Sequence, residues 1–112
     1  MYEYKCKITS VYDGDTVTGD IDLGFYTFIH DQKFRLLGIN TPEIRTKNLD
    51  EKKKGYLAKE EVERLILNKT VRIVSHGKGK YGRWLVEIFV DDMEISVNQH
   101  LINEGFAKEY LK

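Results

Sequence analysis

The spacing of apolar residues changes from a period of two to a helical period near residue 50 of this 112-residue chain, and this change limits the fold more than any other feature. Before it, the pattern has the period of two that is typical of β-strands. The stretches that alternate, or are rich in aromatic and branched residues, are 4–11, 16–23, 25–29 and 33–39. The first two predict strands joined near Asp13-Gly14. The last two predict a bent strand or a further hairpin that ends at Thr41-Pro42, because proline has no N–H for a ladder.

After the change, the spacing is helical. Ala58, Val62, Leu65 and Ile66 follow the i, i+4, i+7, i+8 pattern of an amphipathic helix, which predicts a helix over about 50–68. Residues 70–74 and 84–90 predict two further strands, with a tight turn after the second. Finally, Ser96 and Gln99 have the spacing of a capping box, which predicts a short helix that stops at Gly105.

The predicted order is three strands, a helix, two strands and a helix, with short connections. This order predicts a β-rich α+β fold, a five-stranded barrel of the OB type with two to three helices, because closing the sheet removes its exposed edges. A chain of 112 residues has the usual size of one domain, so we expect a single domain over residues 1–112. Such barrels occur in enzymes and in binding modules, so the fold does not decide the function.

Composition and charge narrow the possible functions. The chain has 18 basic and 18 acidic residues, so affinity for nucleic acid must come from a local patch. No apolar run approaches the roughly 20 residues of a membrane span, and we expect no membrane partner. The start lacks the apolar stretch of a secretory signal, which leaves a cytoplasmic protein or a secreted one whose signal is absent from this sequence. The single cysteine, Cys6, excludes an internal disulfide and is expected in the core.

Asp13-Gly14-Asp15-Thr16 places two carboxylates beside a glycine where two predicted strands meet. Carboxylate oxygens are the ligands that hard cations such as Ca²⁺ prefer. Acidic glycine turns are also common as plain hairpin connections, so the turn alone has both interpretations. An EF-hand is excluded, because Gly24 occupies the position of the bidentate acid that should follow Asp13.

Arg35 lies in an otherwise apolar predicted strand, and the polar residues 40–43 follow it. A charge in such a strand requires a partner, either in a functional site or in an edge ion pair with a surface acid. Strict alternation would place Arg35 and Asn40 on opposite faces. Both reach one site only if the strand is interrupted, and Gly38 is the position where this is expected.

Residues 76–83 form a predicted loop rich in glycine and lysine that leads into a strand. The loop is not a nucleotide-binding P-loop, because Arg83-Trp84 stands where lysine and serine or threonine are required and no helix follows. It either presents Arg83 for a bidentate contact with phosphate or is a flexible, solvated connection.

Together, these segments resemble the staphylococcal nuclease (thermonuclease) family over almost the whole chain, from about residue 4 to residue 112. The matching motifs, in chain order, are Val11-Tyr12-Asp13-Gly14-Asp15-Thr16-Val17, Phe34-Arg35-Leu36-Leu37, Thr41-Pro42-Glu43, Gly55 with Ala58, Lys80-Tyr81-Gly82-Arg83, and Asn98 with residues 101–107. The resemblance implies an OB-type barrel that cleaves DNA and RNA endonucleolytically with Ca²⁺ and leaves 3′-phosphate ends. We expect a monomer that acts on DNA and RNA, preferably single-stranded.

The resemblance also assigns roles by matching position. Asp15 and the Thr41 carbonyl would hold Ca²⁺, and Glu43 would act on the attacking water. The implied sets are catalytic Arg35, Glu43 and Arg83, metal-binding Asp15, Asn40 and Thr41 with Asp13 as a further candidate, and substrate-binding Lys78, Lys80, Tyr81 and Tyr110. These residue types suit the reaction, because phosphodiester hydrolysis needs an aligned water and neutralisation of charge on the phosphoryl oxygens.

The chain departs from the family pattern at Asn40, where the family usually has aspartate. An amide oxygen can coordinate a cation but carries no charge, so we predict weaker Ca²⁺ binding and an altered metal preference, with Asp13 as the nearest residue to compensate. The zero net charge should also weaken substrate capture relative to a basic nuclease.

Asn40 supports an alternative function from a different class. In this alternative, the chain is a catalytically weakened nuclease-like OB domain that binds single-stranded nucleic acid or a protein partner through the same groove, with stacking on its aromatic residues. The presence of Arg35, Arg83 and Glu43 favours the enzyme, because a pure binder has no evident use for an acid beside a phosphate.

Overall fold

The computed structural model describes residues 2–110. Its elements, in chain order, are β1 (Tyr2–Asp13), β2 (Thr16–Asp22), β3 (Phe28–Leu36), β4 (Ile39–Asn40), α1 (Leu49–Ile66), β5 (Thr70–Lys78), β6 (Trp84–Phe89), α2 (Val97–Asn103) and β7 (Lys108–Glu109). Five strands close into a barrel in the order β1, β2, β3, β6, β5, with β3 and β6 parallel and the other pairs antiparallel. The predicted five-stranded OB-type barrel with two helices is confirmed.

The core lies inside the barrel and under the two helices. Alternate side chains of the barrel strands point inward, and Cys6, Ile8 and Val17 are fully buried, as the alternating pattern predicted. One face of α1 covers the barrel with Ala58, Val62 and Ile66, and α2 adds Val97 and Leu101. Burying these apolar faces is the main favourable term that holds helices and barrel together.

Local capping interactions mark where both helices begin and where α2 ends. Asn48 Oδ1 accepts the Glu51 N–H at 3.1 Å before α1, and Ser96 Oγ accepts the Gln99 N–H at 3.0 Å before α2. At the end of α2, Gly105 takes a φ of +80°, a conformation that favours glycine. The predicted cap and stop of the second helix are therefore confirmed.

Two strand boundaries differ from the prediction. Phe25 and Tyr26 were predicted in a strand because of their aromatic character, but they form a turn that the Thr27 N–H closes on the Gly24 carbonyl at 2.9 Å. β5 extends to Lys78, which pairs with Trp84, so Lys78 lies on a strand and not in the predicted loop.

The strand that carries Arg35 is interrupted at Gly38, as predicted. β3 ends at Leu36, Gly38 has a φ of +82°, and β4 leaves the barrel to pair with β7. The Tyr110 N–H donates to the Gly38 carbonyl at 2.8 Å and ties the end of the described chain to the break. The sequence did not predict this small second sheet.

Neither helix of the described chain, residues 2–110, is long and apolar enough to cross a membrane.

Candidate functional site

Asp15 is the centre of the candidate site. It lies in the tight connection between β1 and β2, and only 6% of its surface is exposed. Its Oδ2 accepts the Thr41 N–H at 3.1 Å and lies 3.5 Å from Arg35 Nη2, while its Oδ1 accepts the Thr16 hydroxyl at 3.2 Å. The β1–β2 turn therefore meets the end of β3 and the residue after β4 at one buried carboxylate.

Two glycines allow this convergence. A Cβ on Gly14 would lie 2.7 Å from Thr41 Cγ2 and 2.9 Å from Ala58 Cβ, and one on Gly55 would lie 2.8 Å from the Pro42 carbonyl oxygen. No side chain fits at such distances without a shift of backbone or core atoms. The segment after β4 is therefore held between the β1–β2 turn on one side and α1 on the other.

A buried asparagine on α2 forms hydrogen bonds with the backbone at the point where β3 ends. Asn98, which is 4% exposed, donates to the carbonyls of Leu37 and Val86 at 2.9 and 3.0 Å and accepts the Ile88 N–H at 3.1 Å. The bond to Leu37 satisfies a carbonyl that would be orphaned where β3 stops. The motif contained Asn98 but did not predict its role. The signal was present, since Asn98 is a polar residue between Val97 and Leu101 on the buried face of α2.

The β1–β2 turn contains a second carboxylate. Asp13 Oδ1 accepts the Asp15 N–H at 3.1 Å, which brings the two acidic residues together. Burial, followed by the neighbouring Asp15 carboxyl group, raises the pKa of Asp13 to about 6. The turn therefore holds more negative charge than its own surroundings neutralise.

Arg35 and Arg83 both contact residues at the turn, and each lies against a tyrosine. The Arg35 guanidinium carbon is 6.0 Å from the centre of the Tyr110 ring, and that of Arg83 is 5.6 Å from the Tyr81 ring. Arg83 Nη1 also contacts the Thr16 hydroxyl at 3.4 Å. Because Thr16 also donates to Asp15, one hydroxyl connects the basic loop to the buried carboxylate, a link that sequence reasoning missed.

The other predicted site residues, Glu43, Lys78 and Lys80, form no hydrogen bond or ion pair with Asp15 within residues 2–110. Glu43 is exposed, its N–H donates to Glu51 Oε2 at 3.1 Å, and within residues 2–110 no hydrogen bond joins its carboxylate to Asp15. Glu43 lines a cleft of about 670 Å³ with Asn40 and Thr41, between the start of α1 and residues 104–108. Lys78 lies with its ammonium 5.0 Å from the centre of the Trp84 ring, and Lys80 contributes its carbonyl to the Arg83 side chain.

The oxygen donors around Asp15 fit a hard cation. The Thr41 hydroxyl is buried and has no hydrogen-bond partner among the described residues, and Thr41 is adjacent to the Asn40 amide. Within residues 2–110 no group of three or more His, Cys, Asp and Glu side chains is placed to hold a metal. Apart from the Asp15 carboxylate and the neighbouring Asp13, a cation here would therefore depend on neutral amide and backbone oxygens, which predicts modest affinity.

Similarity to known proteins identifies the family of this chain. Residues 33–112 match the family model described as Staphylococcal nuclease homologue. The chain belongs to the staphylococcal nuclease family. The matched region of this nuclease-family chain includes Arg35, Thr41, Glu43, Arg83 and Asn98. Asp13 and Asp15 precede it.

Three relatives extend the comparison over almost the whole chain. An uncharacterized protein of Methanocaldococcus jannaschii is 34% identical over 130 residues, covering 96% of this chain and 60% of that protein. The thermonucleases of Staphylococcus intermedius and Staphylococcus hyicus are 31% and 30% identical, covering 90% and 97% of this chain and 56% and 58% of their own lengths. This nuclease-like domain therefore spans about 56–60% of the length of these relatives.

Proposed function

We propose that this chain is a Ca²⁺-dependent, sequence-nonspecific endonuclease that hydrolyses phosphodiester bonds of DNA and RNA, preferably single-stranded, to 3′-phosphate ends. The convergence of Arg35, Thr41 and, through Thr16, Arg83 on the buried Asp15 carboxylate carries the proposal. Membership of the nuclease family and the two thermonuclease relatives support it. We also propose that residues 1–112 form one domain that acts as a monomer.

The metal site proposed here uses this chain's oxygen atoms. The Asp15 carboxylate, the Asn40 amide oxygen and the Thr41 carbonyl would hold Ca²⁺, and Asp13 would add negative charge from the same turn. When bound, the ion supplies positive charge to the phosphoryl oxygens and makes a coordinated water more acidic.

The arginines and Glu43 carry out the remaining chemistry. Arg35 and Arg83 bind the phosphoryl oxygens, since a guanidinium offers paired donors that match phosphate. Glu43 accepts a proton from the attacking water, or orients that water, from its exposed position after β4. The water oxygen bonds to phosphorus, the bond from phosphorus to the 5′-oxygen breaks, and Arg83 stabilises that leaving oxygen until it takes a proton.

Aromatic and basic residues around the arginines bind the rest of the substrate. Tyr81 is 88% exposed beside Arg83, and Tyr110 is half exposed beside Arg35, so both rings are accessible to bases. Lys78 and Lys80 add two further cations close to Arg83 in the sequence. This local basic patch offsets the zero net charge of the whole chain.

The test is digestion of denatured DNA and of RNA with Ca²⁺ or with chelator, followed by analysis of the product ends. Glu43→Gln and Arg83→Ala should each lower kcat/KM by on the order of 10²–10³, with 3′-phosphate products in the wild type. Glu60→Gln, an exposed acid on α1, is the matched control and should cut normally. Undiminished cutting by both site variants would contradict the assignment.

Asn40 favours a second candidate, a catalytically weakened domain that binds single-stranded nucleic acid or a protein partner through the same groove. The neutral amide leaves Asp15 and Asp13 as the only acidic side chains in the proposed metal set. Asn40→Asp should raise both Ca²⁺ affinity and cutting if the chain is an enzyme limited by metal binding. Binding without cutting, in the wild type and in Asn40→Asp, with every metal tested, would favour the second candidate.

A further inference from the structure

A second pocket, of about 290 Å³, opens beside Glu43. Its walls come from the end of β1 with Tyr12 and Asp13, from the loop after β4 with Glu43 and Arg45, and from Lys59 on α1. Arg35, Arg83, Tyr81 and Tyr110, the residues proposed to hold the cleaved nucleotide, do not line it. The pocket therefore shares a wall with the candidate site and lies outside its phosphate clamp.

The pocket combines two cations with an aromatic ring. The Arg45 guanidinium carbon lies 5.6 Å from the centre of the Tyr12 ring, and Tyr12 remains 52% exposed. Within residues 2–110 neither Arg45 nor Lys59 forms an ion pair with a carboxylate, although Asp13 and Glu43 line the same pocket. These cations are therefore available to an anion.

The combination fits one unit of a nucleic acid chain. Unpaired guanidinium and ammonium groups bind phosphate, and nucleobases stack on tyrosine rings and on guanidinium planes. The volume is just below the roughly 300–1,000 Å³ of pockets that enclose a drug-sized ligand, so it suits a partly exposed nucleotide and not an engulfed molecule. Glu43 lines both this pocket and the cleft of the candidate site, so a nucleotide bound here would lie next to that site.

We propose that Tyr12, Arg45 and Lys59 form a second nucleotide subsite, which binds a unit of the substrate chain beyond the two units joined by the cleaved bond. The inference rests on the proposed nuclease function. It adds a reason why the enzyme would prefer long nucleic acid chains to short fragments. A substrate long enough to occupy both subsites makes contacts with the protein that a dinucleotide does not make. Because stacking on an aromatic ring strengthens the binding of a base, occupation of this subsite should lower KM on the order of tenfold.

The test compares an eight-nucleotide single strand with a dinucleotide, using KM and kcat for the wild type, Tyr12→Ala, Arg45→Ala and Lys59→Ala. The expected result is a rise in KM on the order of tenfold for the longer substrate, clearly larger than for the dinucleotide, with kcat less affected than KM. Tyr12→Phe should restore the KM of the longer substrate because it keeps the ring. Melting temperatures identify any variant that fails to fold.

The matched controls are Lys53→Ala and Tyr56→Ala, exposed residues of α1 that line neither pocket. Equal KM changes in the pocket variants and these controls would overturn the subsite. So would loss of binding of a nucleoside monophosphate in Tyr12→Ala with no change for the longer substrate, since the pocket would then hold a free nucleotide. If the wild type neither cuts nor binds any nucleic acid, the proposed function itself fails, which is a different outcome.

Discussion

Glu61 with its two partners and the Asp13–Asp15 pair of the β1–β2 turn differ in the groups that neutralise their carboxylates. Glu61 on α1 accepts two 2.8 Å hydrogen bonds from Arg64 and one of 2.6 Å from His100 on α2, and these bonds lower its pKa to about 2. In the β1–β2 turn, burial and Asp15 raise the pKa of Asp13 to about 6, and Arg35 reaches Asp15 only at 3.5 Å. Glu61, the scaffold carboxylate, has its hydrogen-bond donors within the chain, among them the Arg64 guanidinium, whereas the turn is short of positive charge.

This difference indicates that Glu61 has a structural role and that the carboxylates of the turn have a functional one. A carboxylate that the protein neutralises itself contributes to stability, since one partner comes from each helix. A buried pair left short of positive charge costs stability, and a fold keeps such a pair where a ligand compensates it. The clusters should therefore respond in opposite ways to loss of charge.

The largest effect should follow from Asp15→Asn, which removes the central charge while keeping the size of the side chain. We expect kcat/KM to fall by on the order of 10²–10³ and the rise of melting temperature with Ca²⁺ to disappear, because a ligand stabilises only the state that binds it. Calorimetry with and without Ca²⁺ measures the second effect. Asp92→Asn in an exposed turn is the control, and an unchanged Ca²⁺ response in Asp15→Asn would place the metal elsewhere.

Glu61→Gln should lower the free energy of unfolding by about 1 kcal/mol and leave cutting unchanged. The substitution weakens the link between α1 and α2, of which the His100 contact is the less exposed part. Urea denaturation of the variant and of Glu60→Gln, its exposed neighbour on α1, measures the difference. Equal stability of the two variants would show that the cluster contributes nothing to stability.

The same cluster predicts a pH dependence. The folded pKa of Glu61, about 2, lies below its ordinary value of 4.5, so the cluster stabilises the fold fully above about pH 5 and loses this effect as the pH falls towards 2. The stability difference between the wild type and Glu61→Gln should therefore shrink from pH 7 to pH 3. A difference that stays constant over this range would mean that the charge of Glu61 is unimportant.

Most of the fold was predictable because its signals are local. The strands of the barrel alternate, α1 has helical spacing, and the Ser96 cap and Gly105 stop of α2 each involve residues a few positions apart. The pairing of β4 with β7 was not predictable, since each strand has two residues and their partners lie far apart in sequence. Phe25 and Tyr26 misled the prediction because aromatic residues favour strands, whereas here they form an exposed turn.

The candidate site was predictable by resemblance more than by spacing. Local patterns left the interpretation of Asp15, Arg35 and Arg83 open, because each has a plain structural explanation and their proximity depends on the closed barrel. The role of Asn98 follows only once the Leu37 carbonyl is known to need a donor. The pocket of Tyr12, Arg45 and Lys59 likewise comes from three segments that no local pattern connects.

The smallest effect, and the one that tests the comparison most closely, is that of Asp13→Asn. The amide oxygen can still accept the Asp15 N–H, so the substitution removes charge while keeping the turn. With chelator at neutral pH, we expect a gain of up to about 1 kcal/mol in the free energy of unfolding, because the half-buried Asp13 carboxylate no longer repels the buried Asp15 carboxylate. With Ca²⁺, the gain should shrink, since the wild type then recovers the missing positive charge.

Urea denaturation in both buffers, with Asp92→Asn as the control, measures both values. A loss of stability in chelator would show that Asp13 belongs with Glu61 as a scaffold carboxylate and that the turn is not short of positive charge.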